Sequence, residues 1–215
     1  MNPDVYLISG LGADERLFSK LRLTGCNIHF IKWIEPLAAE PLPHYCARLS
    51  EQINKLDSII LVGVSFGGII AIELAQLLPL KKTVIISSLK ATSEKPWYFS
   101  LLRRLRLQRA VTPGLLDALL RVTRPLFGHM TSDEYDLFKS MLATTSVELL
   151  AWGVESVLSW KCPSTVTRVC HIHGDQDLIF PAKRIKEAHI VKGGNHFMIV
   201  QRADEISRIV NEQLK

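Results

Sequence analysis

Leu61-Val62-Gly63-Val64-Ser65-Phe66-Gly67-Gly68-Ile69-Ile70 is the stretch from which the rest of the chain is read. Ahead of it, Ser58-Ile59-Ile60-Leu61-Val62 is a short apolar run, rich in β-branched residues and suited to a buried strand. Behind it, Ile69, Ile70, Ile72, Leu74, Ala75, Leu77 and Leu78 continue an apolar pattern of helix length until Pro79 stops it. A strand that reverses into a helix at Gly63-Val64-Ser65-Phe66-Gly67 is the setting a G-x-S-x-G turn needs to lift its serine to the tip. Side chains at 63 or 67 would collide with neighbouring backbone, and Gly68 lets the helix lie close to the sheet. The turn also sets the Ser65 hydroxyl near a helix N-terminus, whose free N–H groups favour developing negative charge. A glycine-rich turn can carry a serine by chance, so the remaining sequence has to decide.

Working outward, Val5-Tyr6-Leu7-Ile8-Ser9 forms a first buried strand that Gly10-Leu11-Gly12 breaks, followed by a short helix over 13–21. Asn27 to Trp33 is a second strand, and a helix from His44 to Lys55 places Tyr45, Cys46, Leu49 and Ile53 at helical spacing. After the central strand and its helix, Lys82 to Ser88 is the fourth strand. From Leu89 to Lys161 the pattern is helical, broken at Pro96, Pro113-Gly114 and Pro125 to Gly128, with no convincing β-branched strand. Strands return at 166–173 and 188–191, separated by a helix from Pro181 to Glu187, and Phe197 to Leu214 closes the chain as a helix. Alternating strands and helices imply an α/β fold with a parallel sheet covered on both faces. The core is expected over 1–89 and 162–215, with a helical insertion over 90–161.

A chain of 215 residues, 47% hydrophobic and 22% charged, suits one globular domain with a substantial core. No apolar run reaches the length of a membrane span, so no stable insertion into a bilayer is expected. Met1-Asn2-Pro3-Asp4-Val5 shows no basic n-region ahead of an apolar h-region, so no signal peptide is expected. Cys26, Cys46, Cys162 and Cys170 are widely spaced and form no C-x-x-C pair. They fit reduced thiols of a cytoplasmic protein better than a disulfide frame or a zinc site.

A serine hydroxyl needs a base to take its proton, and the base works best when a carboxylate holds its tautomer. Ser65 follows the third strand, Asp177 the fifth and His196 the sixth, in the order Ser, acid, His. Open parallel sheets bind ligands beyond the carboxyl ends of their strands, where the three can converge. Asp175, two residues before Asp177, is the alternative acid, or else a turn residue. His171 and His173 alternate onto one strand face, but no Asp, Glu or Cys accompanies them at a metal-site spacing. No metal or organic cofactor is expected, and Gly10-Leu11-Gly12 lacks the third glycine of a dinucleotide fingerprint.

Taken together, the sequence resembles the α/β-hydrolase family over nearly its whole length outside the insertion. Gly63 to Gly68 resembles the family's nucleophile elbow. His173-Gly174-Asp175-Gln176-Asp177-Leu178-Ile179-Phe180-Pro181 is similar to its H-G-x-x-D-x-x-x-P acid loop, and Gly193-Gly194-Asn195-His196 to its G-x-x-H base loop. The resemblance implies a trimmed core of about six mostly parallel strands, without the family's first two. It also implies Ser65 as nucleophile, His196 as base, Asp177 as orienting acid, and the N–H groups of Leu11 and Phe66 as an oxyanion hole. Ser9-Gly10 stands where the family usually has His-Gly, which leaves backbone donors available. Asp at position 65 would point to a dehalogenase; serine points to esters or thioesters, with amide or C–C bond cleavage open within the family. A binding protein that keeps the fold and senses a ligand in its pocket is the alternative without catalysis.

The insertion is expected to act as a lid. Leu101, Leu102, Leu105, Leu107, Leu115, Leu116, Leu119, Leu120, Leu126, Phe127 and Met130 supply apolar surface, most of it for packing and some for a pocket wall. Between Glu94 and Arg124 stand seven basic residues against two acidic ones, within an overall net charge of +5. The run 101–109 reads first as a solvated helix face. It could also dock an acidic acyl carrier protein or a CoA ester, or contact anionic lipid. No fold or aromatic pattern supports nucleic acid as a partner.

Overall fold

The computed structural model describes residues 2–54, 58–106, 112, 121–122, 124–163 and 168–214. Six strands, β1 (Asp4–Ile8), β2 (Asn27–Ile31), β3 (Ile59–Val64), β4 (Leu80–Ile86), β5 (Val169–Gly174) and β6 (His189–Val191), form one sheet in the order β2-β1-β3-β4-β5-β6. All five pairings are parallel. The order reverses between β1 and β3, which makes that junction the switch point where an open sheet leaves a crevice beyond its strand ends.

Both faces of the sheet are buried, as an all-parallel sheet requires. Tyr6, Ile8, Ile59, Leu61 and Ile85 point to one side, against α1 (Leu42–Leu49) and α2 (Phe66–Leu74). Val5, Leu7, Ile60, Val62, Val84 and Ile86 point to the other, against Leu17, Phe18 and α7 (Ala203–Leu214). Apart from Glu73, α2 is apolar all round, and it is buried along its whole length, so burial rather than a polar stripe holds it in place.

Several elements are shorter than their periodicity suggests. The helix expected over 13–21 is one 3-10 turn, Glu15–Phe18, capped by the Asp14 carboxylate. That expected over 44–55 ends at Leu49, continues as a 3-10 turn to Gln52 and stops where Ile53 becomes extended. After Pro181 only Ala182–Arg184 turns, because Ile185 is extended and Glu94 takes the Lys186 N–H. The closing helix breaks at Arg202 into α6 (Met198–Gln201) and α7. The fifth strand begins at Val169; the expected residues 166 and 167 lie outside the described residues.

Between β4 and β5 the described residues form α3 (Tyr98–Arg104), a 3-10 turn (Arg124–Phe127), α4 (Ser132–Leu142) and α5 (Val147–Ser159), with no strand among them. A capping box of Thr131 and Glu134 starts α4, and the Ser146 hydroxyl starts α5. α5 is pinned to the core by Trp152, whose ring lies tilted against Tyr45 and edge-on to Phe66. Just past α5, the Trp160 indole N–H donates to Glu73 of α2 at 2.7 Å. Of the apolar residues expected to pack or line a wall in this segment, Leu101, Leu105 and Leu126 are exposed, whereas Leu102, Phe127 and Met130 pack inward. Leu107, Leu115, Leu116, Leu119 and Leu120 lie outside the described residues, as does Arg109. Among the described residues no single helix is long and apolar enough to cross a membrane.

Candidate active site

Ser65 stands between β3 and α2 with φ 53° and ψ −119°, a left-handed conformation that a side-chain-bearing residue seldom adopts. Sterics around it hold the strain in place. A Cβ at Gly63 would strike the Gly67–Gly68 backbone, and one at Gly67 would strike the carbonyls of Ile8 and Ser9. The turn can therefore close only with glycine at both places, and it closes with Ser65 facing the switch-point crevice.

Two further loops meet Ser65 there. The acid loop follows β5, where the Asp177 Oδ1 accepts the N–H groups of Ile179 and Phe180, each at 2.9 Å. The base loop follows β6, and the Asn195 side chain accepts the Phe197 N–H at 2.8 Å. The loops are laced together by Gln176 N–H donating to Gly194 O at 2.8 Å. Asp175 belongs to this lacing. Its carboxylate accepts the Gly193 N–H at 2.7 Å, so it is the turn residue of the two alternatives and Asp177 is the carboxylate that meets His196.

His196 bridges the other two side chains. Its Nδ1 lies 2.8 Å from Asp177 Oδ2 and its Nε2 lies 2.9 Å from Ser65 Oγ. A carboxylate only accepts, so Nδ1–H donates to Asp177, leaving Nε2 free to accept the Ser65 proton. Burial works to raise the Asp177 pKa, but the His196 charge and hydrogen bond and the Phe180 N–H outweigh it and hold the carboxyl below its usual range. Asp177 and His196 are both buried, while Ser65 remains partly open to the crevice. Phe127 and Phe180 set their rings edge-on to His196, with centroids 5.6 and 5.4 Å away.

His173 is placed beneath the acid. Its Nε2–H donates to Phe180 O at 2.8 Å, and the same nitrogen lies 3.8 Å from Asp177 Oδ2. Burial pushes its pKa down against the pull of Asp177, so the ring acts as a neutral donor that fastens the acid loop. His171 beside it is driven down to about 3 by burial, with His173 and Lys90 adding to the effect. Among the described residues no three His, Cys, Asp or Glu side chains are grouped to hold a metal ion.

Around the serine, the loop after β1 is tied by Ser9, whose hydroxyl donates to Ala13 O at 2.7 Å and accepts the Trp33 indole N–H at 3.0 Å. That closure carries Gly10 and Leu11 to the rim of the crevice. Gly10, Leu11, Leu17, Ser65, Phe127, Phe138 and His196 border an apolar cleft of about 40 Å³. Beyond Phe127, a cavity of about 630 Å³ opens among His129, Thr131, Glu134, Gln176, Asn195 and Gln201. Phe127 was legible only as general apolar surface, and Phe138, carried by an amphipathic helix, gave no separate signal.

Residues 6–209 match the profile of the alpha/beta hydrolase family. The chain belongs to the α/β-hydrolase family. Solved structures agree on the fold of this α/β hydrolase at low sequence identity. A hydrolase from Pseudomonas aeruginosa PA01 superposes with a TM-score of 0.76 at 15% identity, covering 99% of this chain and 90% of that one. An esterase from Exiguobacterium antarcticum gives 0.74 at 13%, covering 99% and 91%. A lipase-esterase related protein from Clostridium acetobutylicum gives 0.72 at 15%, covering 98% and 94%. No curated protein matches the sequence. Six parallel strands with flanking helices make up the α/β-hydrolase core described here. Leu11 and Phe66, the residues whose N–H groups the family resemblance singles out, flank the serine. Among the described residues neither N–H donates to another group of the chain.

Proposed function

We propose that this α/β hydrolase cleaves carboxylic esters or thioesters through a Ser65–His196–Asp177 triad. The observation that carries the reading is the unbroken relay from Ser65 Oγ through His196 to Asp177, at 2.9 and 2.8 Å. Ser65 Oγ attacks the acyl carbonyl carbon as its proton passes to His196 Nε2. The tetrahedral oxyanion forms against the N–H groups of Leu11 and Phe66, at the N-terminus of α2 where the helix favours negative charge. Collapse expels the alcohol or thiol, which takes the proton from His196. Water, deprotonated by the same nitrogen, then releases the acid from the acyl-enzyme. Asp177 holds the Nδ1–H tautomer and stabilises the imidazolium in both steps.

Residues 90–161 act in this reading as the lid, with Phe127 and Phe138 as the wall against which the acyl group lies. An apolar cleft of about 40 Å³ at Ser65 favours a short acyl chain. Arg104 and Arg106, both exposed, leave a carrier-protein or CoA thioester as a second substrate class.

The test is hydrolysis of p-nitrophenyl esters from acetate to decanoate, and of acyl-CoA thioesters, with a fluorophosphonate probe alongside. Wild type is expected to turn over short esters and to label. Ser65→Ala is expected to lose about 10⁶-fold in kcat and all labelling. Labelling of Ser65 without turnover of any ester or thioester would move the substrate to another bond type. Absence of labelling in wild type would favour a ligand-sensing protein.

A further inference from the structure

Ser88 is a buried serine that the proposed chemistry leaves unused. It lies two residues past the end of β4, beside the turn that carries Ser65, and is 0% exposed. Its hydroxyl donates to the Ser65 carbonyl oxygen at 2.6 Å. That oxygen is also approached by the Gly68 N–H at 2.9 Å and, more distantly, by the Ile69 N–H at 3.4 Å. The Ser88 bond is thus the shortest of the three, and the ordinary helical bond from Ile69 is the longest.

The Ser65 carbonyl and the Phe66 N–H belong to one peptide plane, so whatever fixes the oxygen fixes the direction of the N–H on its opposite edge. A donor placed on the oxygen also polarises the amide and strengthens its N–H as a donor in turn. Gly68 is part of the same device. A Cβ there would strike the Oγ and Cβ of Ser88, so the third glycine of the Gly63-x-Ser65-x-Gly67-Gly68 run makes room for this hydroxyl. On the other side, Ser87 takes a left-handed φ of 47° as the chain turns out of β4 into Ser88.

We propose that Ser88 is a positioning residue of the oxyanion site, orienting and polarising the Ser65–Phe66 peptide so that its N–H meets the charge that develops on the acyl oxygen. The proposal rests on the reading of Ser65 as nucleophile and of Phe66 N–H as oxyanion donor. An interaction of this kind matters more in the transition state than in the bound ester, so its loss should appear in kcat.

The experiment compares full-length wild type with Ser88→Ala, Ser88→Thr, Gly68→Ala and Ser65→Ala. The readouts are kcat and KM on the best p-nitrophenyl ester, inhibition by a trifluoromethyl ketone of matched chain, and the active fraction by fluorophosphonate titration. Ser88→Ala is expected to lower kcat per active site about tenfold, less than outright removal of an oxyanion donor, with KM within about twofold. The trifluoromethyl ketone, which forms a tetrahedral adduct, should weaken by the same factor as kcat/KM. Ser88→Thr keeps the hydroxyl and should recover most of the rate, while Gly68→Ala should show the Ser88→Ala pattern by displacing it. Unchanged kcat per active site in Ser88→Ala, with only a smaller active fraction or a lower Tm, overturns the proposal. So does a loss of kcat without weaker binding of the ketone. Ester turnover that survives in Ser65→Ala would instead overturn the underlying reading, whatever the Ser88 variants do.

Discussion

On the core side of the cleft, Ser65, Asp177 and His196 stand on loops at the carboxyl ends of β3, β5 and β6. Glycine contacts, backbone hydrogen bonds and a buried carboxylate leave those loops almost no freedom. Across from them, Phe127 and Phe138 enter from the segment between β4 and β5, held by ring contacts with each other and with His196 and Phe197. The same outer segment turns Leu101 and Leu105 to solvent. The difference separates two jobs. On the proposed reading, reaction geometry tolerates errors of only fractions of an ångström, so its side chains are held by backbone, whereas acyl-group fit tolerates exchange of one side chain for another.

The contrast breaks most visibly at the elbow. Gly67→Ala forces a Cβ against two main-chain carbonyls and should cost about 3 kcal/mol or more, seen as a fall in the urea midpoint. An unchanged midpoint would mean the elbow is far softer than its geometry implies.

A smaller effect, still on the core side, depends on pH. His171 is buried with a pKa of about 3, against an ordinary 6.5. Between those values the unfolded chain binds the proton and the folded one does not, so stability rises with pH across that window. The contribution is fully present above about pH 6.5 and is lost as pH falls toward 3, amounting to about 2 kcal/mol by pH 5. His171→Phe should flatten the fall in Tm between pH 7 and pH 5. Below that, protonation of Asp177 and of Glu40, which Arg48 holds down to about 2, adds a further loss shared by both proteins.

Phe138→Leu probes the opposite wall. It should cost about 1 kcal/mol in stability and move ester preference toward longer acyl chains by a few fold, with kcat on acetate little changed. If the chain-length profile stays fixed while kcat collapses, the wall is part of the reaction geometry and the division of labour fails. Arg104→Ala should move stability by less than about 0.5 kcal/mol, since its side chain is exposed and near the end of α3. Its effect should be confined to rates on CoA or carrier-linked substrates at low salt.

The residues at the strand ends were legible because each sits in a short motif with one mechanical purpose. Ser65 is framed by glycines that only a strained turn needs, and Asp177 and His196 occupy loops in the family order. In the sequence, Asp177 was favoured over Asp175 by the acid-loop motif alone. In the structure the partners separate them, since Asp177 takes the N–H groups of Ile179 and Phe180 and Asp175 that of Gly193. Helix lengths after Asp14, Leu49 and Pro181 were overestimated for a related reason. Apolar spacing continues past the point where tertiary hydrogen bonds, such as that from Lys186 N–H to Glu94, capture the backbone.

By itself, the sequence determined the α/β alternation, the elbow and the order of Ser65, Asp177 and His196, because periodicity and local sterics act over a few residues. The tertiary structure alone decided that Ser88 caps the Ser65 carbonyl, that His173 fastens Phe180, and that Phe127 and Phe138 close the cleft. Two of these contacts join segments far apart along the chain and the third depends on how a buried loop folds back, so their partners become neighbours only when the sheet and its covering helices have packed.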